Sequence, residues 1–168
     1  MRLRTILDPG SVVLDVGTGS KKDVLERLVT PMLASRSDLD GTTILAELVS
    51  REIESSTAIA DGIAIPHARP DIPTVTAGFG LSREGIAFDS LDGRPTQILF
   101  VLLSPASDSQ IHVSWLSHVA RVLADPPTRA RLLDATSGEE VLAVFEEREK
   151  TIELQDRETA RAALKGAS

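Results

Sequence analysis

His67 has the most chemistry open to it. It follows the apolar run Ile63-Ala64-Ile65 and then Pro66, and proline both ends a strand ladder and biases the residue before it toward extended geometry. A side chain delivered just past such a strand end faces solvent or a cleft. A neutral imidazole there exposes a lone pair, and an ordinary pKa near ~6.5 leaves it largely neutral at physiological pH, so it can act as a nucleophile without a cofactor. Upstream stand Arg51, Glu52, Ser56 and Thr57. A guanidinium offers a planar, two-pronged contact to an oxyanion that lysine does not reproduce, and the two hydroxyls add donors. Arg51 taken alone reads as a solvated helix residue with an apolar stem. Glu52 reads as an exposed helix charge.

The elements that must hold these residues are legible from periodicity and punctuation. Residues 11–16 form a β-branched run that reads as a strand. Ser20 then caps an amphipathic helix through about Ala34, with Val24, Leu25, Leu28, Val29 and Leu33 as its apolar face and Pro31 as a point of kinking or shortening. A second helix runs from about Thr42 to Glu54 on the stripe Ile44, Leu45, Leu48 and Val49, with Arg51 at its edge. Residues 74–79 and 86–88 flank the polar Ser82-Arg83-Glu84-Gly85 and are expected as paired strands joined by a turn. Residues 96–103 are the most apolar run, short enough for a fully buried strand. Ser107 or Asp108 caps a helix over 110–124, which Asp125-Pro126-Pro127 ends. A short helix covers 128–135, and Ser137 with Glu140 makes a capping-box start for a last helix through Val141, Leu142 and Phe145. The expected domain is 1–150, and 151–168 is a charged, helical or frayed tail outside it. Helices interleaved with strands imply an α/β three-layer sandwich with a mixed parallel and antiparallel sheet.

Composition narrows the function. A chain of 168 residues suits one domain with a real core. Without cysteine there is no disulfide framework, thiolate nucleophile or cysteine metal site, and the cytoplasm is the default compartment. A formal net charge of −7 opposes non-specific attraction to nucleic acid or anionic lipid. No apolar run approaches a membrane span, and Met1-Arg2-Leu3-Arg4 leads into no signal-peptide core. One stretch imitates a cofactor site: Val12-Val13-Leu14-Asp15-Val16-Gly17-Thr18-Gly19-Ser20 looks like the strand-to-glycine turn by which methyltransferases hold S-adenosylmethionine. It lacks a third glycine, and a turn before a capped helix explains it more simply.

The stretch I-A-D-G-I-A-I-P-H-A-R at residues 59–69, taken with Arg51, Glu52, Ser56 and Thr57, resembles the phosphorylation site of the type-2 enzyme IIA components of the bacterial sugar phosphotransferase system, the fructose/mannitol class and its nitrogen-regulatory relatives. The likeness runs over about residues 6–148 and includes L-D-G-R-P at 91–95 and L-A-D-P at 123–126. It implies a mannitol-type IIA fold and His67 as phosphoryl acceptor, loaded by a small histidine-phosphorylated carrier protein. The next acceptor it implies is a cysteine on a sugar-permease IIB domain, or the phosphoryl group serves as a regulatory signal. It implies no metal and no cofactor. It also assigns a second histidine to the site, matched by His112 near the start of the helix after the most apolar strand. There, unpaired N–H groups and the positive dipole end favour a phosphoryl dianion and disfavour a charged imidazole. His118, at helical spacing from Ile111 and Trp115, reads as structural. The family usually places glycines where this chain has Ser55, Ala58 and Ala60, so those positions lose backbone freedom, while Gly62 keeps the loop able to turn. A non-catalytic sensor with the same fold is the alternative function, S-adenosylmethionine binding a more distant one, and a homodimer is left open.

Overall fold

The computed structural model describes residues 1–34, 36 and 39–166. Its centre is a sheet of β1 (Val12–Val13), β2 (Ile63–Ala64), β3 (His67–Ala68), β4 (Thr76–Ile86) and β5 (Thr96–Leu103). The path is β1-β4-β5-β2, with β3 also on β5. β1 runs parallel to β4, and β2 and β3 run parallel to β5, while β4 and β5 are antiparallel. The sheet is mixed, as the alternation of elements implied. Proline accounts for the break between β2 and β3: Pro66 has no N–H to give, yet its carbonyl still accepts from Leu102 N at 2.9 Å, which keeps both short strands in line on β5.

Strand β5 is buried on both faces, and its side chains divide between two cores. Ile98, Phe100 and Leu102 join Ile63, Ile65, Phe79, Trp115, Val119, Leu132 and Phe145, the side covered by α3 (Ser109–Leu123), α4 (Pro126–Asp134) and α5 (Gly138–Gly166). Leu99, Val101 and Leu103 join Ala64, Ala68, Val24, Leu28, Ile44 and Leu48, the side covered by α1 (Lys21–Leu33) and α2 (Gly41–Glu54). Period-two alternation thus produces three layers from one continuous apolar run. With only four phenylalanines and one tryptophan to fill it, the interior is mainly aliphatic; Phe79, Phe100 and Phe145 meet edge-on at centroid distances of 5.3 to 6.4 Å.

Several local expectations change. Regular pairing of the first strand is confined to Val12–Val13, although Val16 N still donates to Leu81 O at 2.8 Å. The expected hairpin around Ser82-Arg83-Glu84-Gly85 is instead one strand, β4, running straight through that polar stretch with an irregularity after Leu81, and the antiparallel pairing is with β5. Arg83 explains why: its guanidinium donates to the carbonyls of Leu14, Leu133 and Ala135, pinning a polar strand segment to both neighbouring segments. Pro31 lies inside α1 rather than ending it. Pro126 and Pro127 begin α4 after the Asp125 cap, the positions where a missing N–H costs nothing. α5 continues beyond residue 150 with Ile152 buried, Glu153 paired to Arg2 and Asp156 to Arg121. Ala167 and Ser168, the end of the expected tail, lie outside the described residues.

Candidate functional site

His67 opens β3, paired with Leu102. Ala68 faces the α1–α2 side, so alternation turns His67 toward α3. Its Nδ1 lies 2.8 Å from Ile65 O. A carbonyl can only accept, so Nδ1 carries the proton and Nε2 holds the lone pair. The ring is half-buried. Burial, the largest influence, holds its pKa below the ordinary histidine value; the Ile65 bond and Glu52 oppose this, and the Arg51 charge reinforces it. The imidazole is therefore neutral near pH 7, with a defined nucleophilic nitrogen.

His112 sits in the first turns of α3, where Asp108 caps the helix by accepting from Ile111 N at 2.9 Å. Its ring centroid is 5.3 Å from that of His67, the rings inclined at 57°. Its Nδ1 meets the hydroxyl of Ser104, a fully buried residue just past the end of β5. Burial first, then the positive charges of His67 when protonated, Arg69 and Arg51, keep the His112 pKa below its ordinary value.

Arg51 occupies the last turn of α2, donates from Nη1 to Ser55 O at 3.0 Å, and acts electrostatically on both imidazoles. The fold thus brings together the three residues read as central, from the end of one helix, a strand and the start of another. Ser56 and Thr57 lie between α2 and β2 but spend their protons locally: Ser56 Oγ donates to Phe88 O at 2.6 Å, and Thr57 Oγ1 donates to Glu52. A phosphoryl contact from either requires its hydroxyl to turn.

Glu52 is the correction. Expected as an exposed helix charge, it is buried, taking Lys21 Nζ at 2.8 Å and Thr57 N at 3.0 Å. The periodicity of α2 does place position 52 four residues after Leu48, the one signal that pointed inward. Arg69 and Ser104 were also missed. Arg69 lies two residues past His67 on an extended chain, hence on the same side, and donates to Ala106 O. His118 is structural in geometry, its Nε2 2.7 Å from the buried Glu149 carboxylate that also accepts Leu3 N.

The residues that replace the glycines are unstrained. Ser55 is extended at φ −166°, and the non-glycine residues with positive φ among those described are Asp61 and Asp89, so neither Ala58 nor Ala60 is in the left-handed region. The turn is made by Asp61 and Gly62, both with positive φ, and Asp61 N donates to Asp92 at 2.8 Å. Gly17 and Gly19 likewise make a turn into the Ser20–Asp23 capping box, closed by Arg27 donating to the carbonyls of Val16 and Thr18. Among the described residues no three His, Cys, Asp or Glu side chains gather as a metal site, and no helix is long and apolar enough to cross a membrane.

The chain is similar in sequence and in fold to known proteins. A family model described as phosphoenolpyruvate-dependent sugar phosphotransferase system, EIIA 2, matches residues 5–148. The nitrogen regulatory protein of Pseudomonas aeruginosa is 38% identical over 141 residues, covering 83% of this chain and 91% of that protein. Nitrogen regulatory protein IIA-Ntr from Neisseria meningitidis superposes with a TM-score of 0.77 at 33% identity, over 84% of this chain and 97% of that one. Mannitol enzyme IIA of Escherichia coli, solved in complex with phosphorylated enzyme IIB, shares the fold at a TM-score of 0.69 and 15% identity, over 84% and 99% of the two chains.

Proposed function

Because this chain belongs to the phosphoenolpyruvate-dependent sugar phosphotransferase system EIIA 2 family, we propose that it is a phosphocarrier that takes a phosphoryl group on Nε2 of His67. The donor is a histidine-phosphorylated carrier protein. The recipient is the cysteine of a permease IIB domain, or the phosphoryl group is kept as a regulatory signal to a partner protein. The observation that carries this reading is the Nδ1–H to Ile65 carbonyl bond, which leaves Nε2 as the nucleophile.

The step balances without a cofactor. The Nε2 lone pair attacks phosphorus, an Nε2–P bond forms, and the donor's N–P bond breaks. The donor imidazole leaves with that electron pair as a neutral ring, while Nδ1 of His67 keeps its proton. Phosphorylation makes the His67 ring cationic, and the Ile65 carbonyl stabilises that cation through a bond already in place. Positioning and charge neutralisation are the protein's main contributions to such a loose transition state. Arg51 supplies the charge beside the transferring oxygens. A buried serine proton needs an acceptor, and Ser104 has Nδ1 of His112, which puts the His112 proton on Nε2 as a neutral donor to the phosphoryl group.

Incubation with phosphoenolpyruvate, enzyme I and the carrier protein should add an acid-labile group of about +80 Da. His67→Ala abolishes it, His112→Ala slows its transfer without preventing labelling, and Arg51→Ala slows it more. Unchanged labelling of His67→Ala rejects the assignment. No labelling of the unmodified protein supports a sensor that keeps the fold without the chemistry.

A further inference from the structure

We propose that buried Glu52 is a positioning residue for His67, acting through Thr57 and the Ile65 carbonyl and held in place by Lys21. This rests on the reading of His67 as phosphoryl acceptor.

The connection is continuous. Lys21 Nζ donates to Glu52 Oε1 at 2.8 Å, and Thr57 donates to Glu52 Oε2 from its backbone N at 3.0 Å and from its hydroxyl. Thr57 O accepts Ile65 N at 3.1 Å, and Ile65 O accepts His67 Nδ1–H at 2.8 Å. Each of the last two bonds has one strict donor and one strict acceptor, so displacing Thr57 moves the carbonyl that selects the His67 tautomer.

Two features show that this carboxylate is built in rather than incidental. Residue 52 is only 5% exposed, a costly place for a charge unless both oxygens are occupied, and both are. Its counter-ion is equally specific. Lys21 is the first residue of α1, where a cation opposes the helix dipole, yet it is fixed there by Glu52, by Asp89 at 2.9 Å and by the Phe88 ring 5.0 Å away. Glu52 also follows Arg51 directly, so anchoring it fixes the helix end that presents the guanidinium. One buried carboxylate thereby sets the direction of the nucleophilic nitrogen and of the cation that meets the incoming oxygens.

The test reads the tautomer in the unphosphorylated full chain, which a direct phosphate contact or a purely structural role does not alter. With 15N-labelled histidine, long-range 1H–15N correlation shows which His67 nitrogen bears the proton. The unmodified protein should be Nδ1–H. Glu52→Gln should give a mixture of tautomers and a labelling rate about 10- to 100-fold lower. If Glu52→Gln does not fold, Thr57→Val, which keeps the shape and removes the hydroxyl bond, should show the same drift in tautomer to a smaller degree. A folded Glu52→Gln protein with His67 still wholly Nδ1–H and labelled at the normal rate overturns the inference, as does an unchanged tautomer in Thr57→Val should that variant alone fold. If the unmodified protein takes no label, the phosphocarrier reading fails by itself, and the tautomer comparison still decides the positioning role.

Discussion

Returning Ala58 to glycine tests whether departure from the family pattern impairs this site. Ala58 is 2% exposed, bridges antiparallel to Ala64, and receives no help from a left-handed backbone, since its φ is negative. Glycine there loses one buried methyl, worth about 0.8 kcal/mol, and gains unfolded-chain entropy worth about 0.4–1 kcal/mol. The sum is a loss of about 1–2 kcal/mol. With a urea slope of about 2 kcal/mol/M, the midpoint should fall by roughly 0.5–1 M at unchanged slope. The labelling rate should stay within about twofold, or about 0.4 kcal/mol in barrier, because the bonds from Thr57 to Ile65 and from Ile65 to His67 do not involve the Ala58 side chain. Ala58→Gly that is as stable as the parent, or that transfers several times faster, refutes the argument: alanine would then be straining a loop that needs glycine.

Four other outcomes follow from the same structure. Folded-state pKa values of His67 and His112 are both lowered, chiefly by burial, so as pH falls below about 6.5 the unfolded chain binds protons that the folded one refuses. Stability should drop from there down through the folded pKa values, by at most about 1.4 kcal/mol per pH unit for each histidine, and His67→Ala should flatten the slope in pH-resolved urea melts. His67 labelling by phosphoramidate should correspondingly hold its plateau at pH 6.5, where an unperturbed imidazole is already about half protonated. His118→Leu strands the Glu149 carboxylate and should cost about 2–4 kcal/mol, but clearly less in a Glu149→Gln background; equal costs in the two backgrounds would mean that no buried charge is being answered. Gly80→Ala would drive a Cβ into Leu28 and Val16, both fully buried, and should cost about 1–3 kcal/mol by thermal or urea melt; an unchanged melting midpoint would mean that both α1 and the segment carrying Val16 move off the sheet.

Local chemistry made much of this molecule legible in its sequence. The buried strand at Thr96–Leu103, the Ser20 cap and the second helix ending near Arg51 each depend on periodicity or a cap within a few residues, whereas His67, expected just past a strand end, instead opens a strand of its own on β5. The Asp61-Gly62 turn was likewise expected from the one glycine left in the loop. What tertiary structure decided depends on partners distant in sequence. Glu52 is buried because Lys21, 31 residues away, neutralises it, and β4 runs unbroken through Ser82-Arg83-Glu84 because Arg83 finds carbonyls 50 to 69 residues off. His112 and Ser104 are eight residues apart, yet only the turn from β5 into α3 sets the hydroxyl against the ring. A residue's type fixes what it can donate or accept, but burial and pairing arise from the packing of separate segments, and that packing put Glu52 inside the fold and set His112 5.3 Å from His67.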